Sequence, residues 1–109
     1  EAKQAFEAGS REYKLGNYEQ AVALFERSYE LSERPALLFN IAQAYARKYE
    51  IDDDVENLRK AKKLYANFIV DMEAAGELDP EAKADAERLS AEVDTQIEAH
   101  EQRLRAASR

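Results

Sequence analysis

Residues 5–25 read AFEAGSREYKLGNYEQAVALF, and small residues alternate with aromatic ones at helical spacing along this stretch. The positions that carry the alternation are Ala5, Ala8, Gly9, Tyr13, Tyr18, Ala21 and Phe25. Gly16 interrupts the pattern, as expected of a glycine whose left-handed conformation ends a helix. Small residues let two helices approach closely, and aromatic rings fill the holes between them. The stretch therefore predicts two helices that are joined by a tight turn and packed against each other.

A second stretch repeats the alternation. It comprises Leu38, Ile41, Ala42 and Tyr45, followed further along the chain by Ala61 and Tyr65. Together the two stretches resemble the tetratricopeptide repeat (TPR), a helix-turn-helix unit. The resemblance is good for residues 2–45 and looser for 46–75, because the second stretch has more residues between its two halves. It implies an α-α superhelix of about two repeats.

The composition supports one all-α domain over residues 1–109. The chain is 45% hydrophobic and 36% charged, and it has three glycines and two prolines, a profile typical of helical proteins. Breaks between the apolar stripes divide the chain into three parts: repeat 1 over 2–34, repeat 2 over 35–75 and a long C-terminal capping helix over 79–106. Repeat 2 is assigned a longer internal turn, the alternative being that both of its helices extend. Asn17 is expected to cap the second helix and Asp79 the last.

An apolar stripe runs along the last helix, at Ala82, Ala86, Leu89, Val93, Ile97 and Leu104. Its first part is expected to cover the open side of repeat 2, with Leu89 and Val93 on the third and fourth helices. A helix of this length projects past the repeats unless the fourth helix follows it. The projecting part would then need a second copy of the chain, a neighbouring domain or a partner protein; otherwise its end frays. The candidates for self-association are Val93, Ile97, His100 and Leu104.

The sequence carries no catalytic or cofactor signature. It has no Gly-rich phosphate loop, no His-Glu-x-x-His motif and no cysteine. The sole histidine, His100, lies in the register of the apolar stripe and is interpreted as structural or interfacial. We therefore expect a protein that is not an enzyme and that uses no cofactor or metal. The formal net charge of −7 disfavours nucleic-acid partners, and no apolar run approaches the ~20 residues that span a bilayer.

The TPR resemblance implies a concave groove lined by the first helix of each repeat. Carried over by position, the candidates for peptide contact are Lys3, Phe6, Ser10, Tyr13, Lys14, Phe39, Asn40, Gln43 and Arg47. The last helix is expected to form a third wall near Lys83, Glu87 and Ser90. Aromatic anchors with a polar rim suit an extended or helical peptide. The alternative is that Phe6, Tyr13 and Phe39 pack against one another under the last helix and fill the groove from within.

Two functions follow from these features. The first is a protein-protein interaction module that scaffolds an assembly by binding a peptide or protein client in the groove. The second is structural self-association, or dimerisation, through the last helix. Residues 28–45 also resemble a bacterial branch of the family whose repeats often stand in cell-envelope proteins. This favours the envelope or periplasm, with the cytoplasm as the alternative, and leaves the client and the parent protein open.

Overall fold

The computed structural model describes all residues, 1–109, and consists of five α-helices without a strand. The helices are α1 (Ala2–Lys14), α2 (Tyr18–Ser32), α3 (Leu37–Asp52), α4 (Glu56–Ala74) and α5 (Pro80–Ala107). Each helix packs mainly against its neighbours in the chain, so the molecule is elongated, with extents of 50 × 29 × 19 Å. The prediction of an all-α fold is therefore confirmed.

Local sequence chemistry explains the ends of α1 and α4 and the start of α5. Gly16 and Gly76 adopt positive φ angles of 82° and 70°, as glycines do where a helix stops. The Asp79 carboxylate accepts a hydrogen bond of 2.7 Å from the backbone N–H of Ala82, so it caps α5 as predicted. Asn17 does not cap α2, since its side-chain oxygen accepts no hydrogen bond from the helix backbone. Its side-chain N–H donates to Glu12 at 3.0 Å. The prediction of a capping Asn17 is therefore wrong.

The turn inside the second helix pair is as short as the one inside the first. Residues 53–55 join α3 to α4, and residues 15–17 join α1 to α2. The longer internal turn predicted for repeat 2 is therefore wrong, and the extra residues lengthen α3 and α4 instead. Longer helices are favoured over a longer turn, because each added helical residue forms a backbone hydrogen bond within the protein. In an open loop the same backbone groups would bond to water.

The first helix pair is held by a very close approach of α1 to α2. A Cβ atom added at Gly9 would stand 2.8 Å from Cδ1 of Phe25, so only a glycine allows the two helices to come this near. The Ser28 hydroxyl donates a hydrogen bond of 2.8 Å to the Ala2 carbonyl and ties the end of α2 to the start of α1. The two helices are therefore antiparallel, and their apolar residues continue onto α3 through Ile41.

A larger core joins α3, α4 and α5. Its buried members are Leu38, Ala42, Tyr49, Leu58, Ala61, Tyr65, Phe68, Ala86 and Val93. Leu89 packs against the same cluster, as predicted. Burial of this apolar surface contributes the main free energy that keeps α5 on the body of the protein.

The far half of α5 stays on the body because the extended α4 follows it. Arg59, near the start of α4, faces Glu101 at 3.4 Å, so the two helices run antiparallel over most of their length. The Tyr49 hydroxyl shares a hydrogen bond of 2.8 Å with Nδ1 of His100, and Arg103 donates to the same hydroxyl at 2.9 Å. Of the two alternatives, the structure shows the one in which the fourth helix follows the last, and only the residues after Arg103 extend beyond these contacts.

Candidate functional site

A groove runs along the face shared by α1 and α3 and consists of three adjoining clefts. The wide cleft, of about 730 Å³, is lined by Glu1, Ala2, Lys3, Phe6, Ser28, Ser32, Arg34, Ala36, Leu37 and Asn40. The middle cleft, of about 140 Å³, is lined by Ser10, Tyr13, Lys14, Phe25, Asn40 and Gln43. The far cleft, of about 320 Å³, is lined by Tyr13, Gln43, Ala46, Arg47, Glu50, Tyr65, Leu89, Glu92, Val93 and Gln96.

Shared side chains connect the three clefts into one groove. Asn40 lines both the wide and the middle cleft, while Tyr13 and Gln43 line both the middle and the far cleft. The geometry follows from the helical period, because positions three or four apart on α1 and on α3 point to the same side. The structure thereby brings together eight of the predicted groove residues: Lys3, Phe6, Ser10, Tyr13, Lys14, Asn40, Gln43 and Arg47.

Phe39 is the predicted groove residue that lies elsewhere. Its ring packs edge-on against Tyr65 and Phe68, with centroid distances of 5.5 and 5.3 Å. One residue along a helix turns the side chain by about 100°, so Phe39 points toward α4 while its neighbour Asn40 points into the groove. Phe39 therefore lines none of the three clefts.

The other two predicted anchors are used partly for packing but do not close the groove. Phe6 packs against Phe25 at a centroid distance of 5.8 Å, yet 37% of its surface stays exposed in the wide cleft. Tyr13 packs edge-on against Tyr18 at 5.3 Å and still lines two clefts. Phe6, Tyr13 and Phe39 therefore pack on different partners and not against one another, as the alternative required.

Helix α5 reaches the groove only at the far cleft. Its contribution there comes from Leu89, Glu92, Val93 and Gln96. The predicted wall residues Lys83 and Glu87 lie closer to the start of the helix and are exposed. The wall therefore lies further along α5 than expected, and it leaves the wide cleft open.

The wide and middle clefts are lined by more cationic than anionic side chains. Lys3, Lys14 and Arg34 line them, and none of the three takes part in an ion pair within the protein. Glu1 is the one carboxylate side chain on these two clefts. In the far cleft, by contrast, the charged side chains already have partners.

In the far cleft, each charged side chain is paired with one of opposite sign. Arg47 contacts Glu50 at 3.2 Å, and Glu92 contacts Arg88 at 3.6 Å. The neighbouring Tyr13 hydroxyl, followed by the Glu50 carboxylate, raises the pKa of Arg47. Burial raises the pKa of Tyr65, which stays a neutral phenol at the base of this cleft at physiological pH. The far cleft is thus polar without an uncompensated charge.

The four residues predicted for self-association are divided between the interior and the surface. Val93 and His100 are buried within the chain, at 2% and 7% exposure, and cannot contribute to a surface between copies in this fold. Ile97 is half-buried and packs on the core that joins α3, α4 and α5. Leu104 alone is well exposed, at 58%.

Sequence reasoning missed the α2 side of the wide cleft. Ser28, Ser32 and Arg34 line it from the end of α2 and the turn that follows. The predicted groove was built from α1 and α3 positions alone. Their spacing does not indicate which residues of α2 lie beside them. The Arg34-Pro35 step could have indicated this side of the cleft, because it favours a turn at the point where α3 begins beside α1.

None of the helices combines the length and apolar character needed to cross a membrane. No group of three or more His, Cys, Asp or Glu side chains is placed to hold a metal ion. No protein-family model matches the chain, and no curated protein matches it.

Proposed function

We propose that the chain is a non-enzymatic, TPR-like interaction module that binds a peptide or protein segment in the groove between α1 and α3. The observation that carries the proposal is the continuity of the three clefts, which share Asn40, Tyr13 and Gln43 along one face. In the same proposal the module scaffolds a larger assembly through this groove.

The lining of the groove suits a peptide. Ligand sites are concave surfaces that combine apolar or aromatic side chains with a few polar groups that set orientation. Phe6 supplies an exposed ring, while Ser10, Asn40 and Gln43 supply hydroxyl and amide groups along the path. A groove along two helices admits an elongated segment, whose backbone and side chains can use these groups in turn.

The close stacking of the helix pairs supports the TPR part of the proposal. Gly9 admits the ring of Phe25 between α1 and α2, and Ile41 continues that core onto α3. In stacked repeats the interface between units contributes much of the stability, and the open faces remain for binding.

A double variant in the middle of the groove tests the proposal. Ser10→Arg with Gln43→Glu places two long charged side chains in the middle cleft, where about 140 Å³ is free. Peptides selected from a random display library on the natural chain are expected to bind the variant about tenfold more weakly or worse, as measured by fluorescence anisotropy. Thermal melting followed by circular dichroism must first show that the variant folds like the natural chain.

The matched control makes the same two types of change outside the groove. Gln4→Arg and Gln102→Glu alter exposed positions on α1 and α5 and leave the net charge as in the groove variant. Their combination is expected to bind the selected peptides as the natural chain does. Equal binding by the groove variant and the natural chain, or the selection of no peptide at all, would contradict a groove-binding function.

A second function, self-association, is favoured by an exposed apolar end of the molecule. Leu15, Ile51 and Leu104 are 72%, 73% and 58% exposed. Ile51 lies in a cleft with Gly16 and Asn17 of the α1–α2 turn, and the neighbour of Leu104, Arg103, lies 3.9 Å from Asp53 of the α3–α4 turn. The three apolar side chains therefore belong to the same end of the helix bundle.

Leu104→Asp tests this second function. If the apolar end joins two copies, the substitution is expected to weaken the dimer about tenfold or more, because a carboxylate would be buried in an apolar contact. Sedimentation equilibrium measures the change, and Leu31→Asp, at an exposed leucine near the other end, is the control. A natural chain that stays monomeric at about 1 mM would rule out a dimer of useful strength.

A further inference from the structure

We infer that the segment bound in the groove is acidic and carries one large apolar side chain, which enters the wide cleft between Lys3 and Arg34. This inference rests on the proposed groove-binding function and adds the chemistry and the orientation of the client. It is carried by three observations: the sign of the charges along the groove, the size of the wide cleft, and the neutrality of the far cleft.

The sign of the local charge is opposite to that of the whole chain. The chain carries 23 acidic and 16 basic residues, for a net charge of −7. The wide and middle clefts have three cationic side chains, Lys3, Lys14 and Arg34, and one carboxylate side chain, Glu1. Screening confines charge effects to about 8 Å at physiological ionic strength, so a segment in these clefts experiences the local cations more than the distant acids.

These cations are available because nothing in the protein uses them. The charged side chains that line the far cleft are in ion pairs, whereas Lys3, Lys14 and Arg34 are in none. Charges at the rim of a site favour partners of opposite sign and speed their association. Asp or Glu side chains of a client are the groups of a peptide that meet this requirement.

The wide cleft is large enough for one aromatic or branched apolar side chain. Its volume of about 730 Å³ exceeds that of the middle cleft, at about 140 Å³. The exposed ring of Phe6 and the apolar side chains of Ala36 and Leu37 line it. An apolar side chain placed there removes both its own surface and that of Phe6 from water, and burial of apolar surface is the main favourable contribution to such contacts.

The far cleft sets the orientation of the client. Its cation, Arg47, already pairs with Glu50, and its carboxylate, Glu92, pairs with Arg88. An acidic side chain there would have to compete with an existing partner. The acidic part of the client is therefore placed over the wide and middle clefts, and a neutral polar or apolar part over the far cleft.

The test uses the whole chain and a display library of random short peptides, selected without bias toward any composition. Selected peptides are expected to be enriched in Asp and Glu around one Phe, Trp or Leu. Lys3→Glu with Arg34→Glu is expected to weaken their binding about tenfold or more, because two attractive charges become repulsive. Raising the ionic strength from about 0.15 M to about 1 M is expected to weaken binding to the natural chain as well.

The control variant makes the same charge change away from the groove. Lys83→Glu with Arg105→Glu reverses two exposed cations on α5 that form no ion pair. It is expected to leave the affinity within about twofold, since neither residue lines the wide or the middle cleft and screening weakens distant charges. Lys3→Gln with Arg34→Gln replaces the charge-reversed groove variant if that variant folds poorly.

The outcomes separate the inference from the function on which it rests. Neutral or basic peptides that bind and are lost in the Ser10→Arg, Gln43→Glu variant would overturn the acidic client and leave groove binding intact. An equal loss of affinity in the control pair, or displacement of the peptide by an oligo-dT strand, would also overturn it. A library that yields no binder would overturn both the inference and the proposed function.

Discussion

Gly9→Leu is expected to lower the free energy of unfolding by about 3 kcal/mol. Even a Cβ atom at this position would stand 2.8 and 2.9 Å from two ring atoms of Phe25 and 3.3 Å from Cβ of Leu24. Phe25 is 2% exposed, and its ring cannot move away without displacing its own neighbours. The better helix propensity of leucine, worth up to about 1 kcal/mol, offsets only part of this cost. Urea denaturation followed by circular dichroism measures the difference.

Two further variants show whether the close approach of α1 to α2 causes the loss of stability expected for Gly9→Leu. Glu7→Leu introduces the same side chain on the exposed face of α1 and is expected to change stability by no more than about 0.5 kcal/mol. Phe25→Ala removes the ring that the introduced leucine would strike, so the double variant is expected to lose less than the two single losses added together. Strict additivity would mean that Gly9 and Phe25 are not in the contact described above.

Phe68→Ala is expected to cost about 3–5 kcal/mol of unfolding free energy. Phe68 is 4% exposed, belongs to the core that joins α3, α4 and α5, and packs edge-on against Phe39 at 5.3 Å. Its removal leaves a cavity that rigid helices cannot close, and it also removes an aromatic pair. For a domain whose total stability is typically about 5–15 kcal/mol, the loss is large. Urea denaturation again supplies the measurement.

The control lies on the same helix. Val70 is 64% exposed, and Val70→Ala is expected to change the free energy of unfolding by about 0.5 kcal/mol or less. Phe68→Leu, which keeps most of the apolar volume, is expected to lose less than Phe68→Ala. Hydrogen exchange should show α5 amides losing protection together with those of α4 in Phe68→Ala. A loss below about 1 kcal/mol would show that the site collapses around the missing ring.

Most of the groove could be predicted from the sequence because it depends on position along two helices. The TPR resemblance assigns Lys3, Ser10, Asn40 and Gln43 to the groove, and the structure places all four along one face. The helical period explains why residues at such spacing share one side of a helix. Phe39 could not be separated from Asn40 in this way, because both lie near the boundary between the groove and the core. The approach of α4, which decides that boundary, is a contact between distant parts of the chain.

The sequence determined the elements that depend on neighbouring residues. Gly16, Gly76 and the Asp79-Pro80 step end or start helices through their own backbone preferences, and the apolar period defines the buried side of each helix. These are interactions over a few residues, so they can be read along the chain. The same holds for the small residue at Gly9, whose spacing from the aromatic positions already indicated a close helix pair.

Which helix covers which face depends on contacts between distant parts of the chain. Periodicity showed that Val93 and His100 lie on one stripe, but only the length of α4 and the hydroxyl of Tyr49 place them inside the protein. Likewise, Arg34 belongs to the wide cleft only because α2 ends beside the start of α1. An apolar or charged side chain defines what kind of neighbour it favours, whereas the identity of that neighbour depends on how all the helices pack at once.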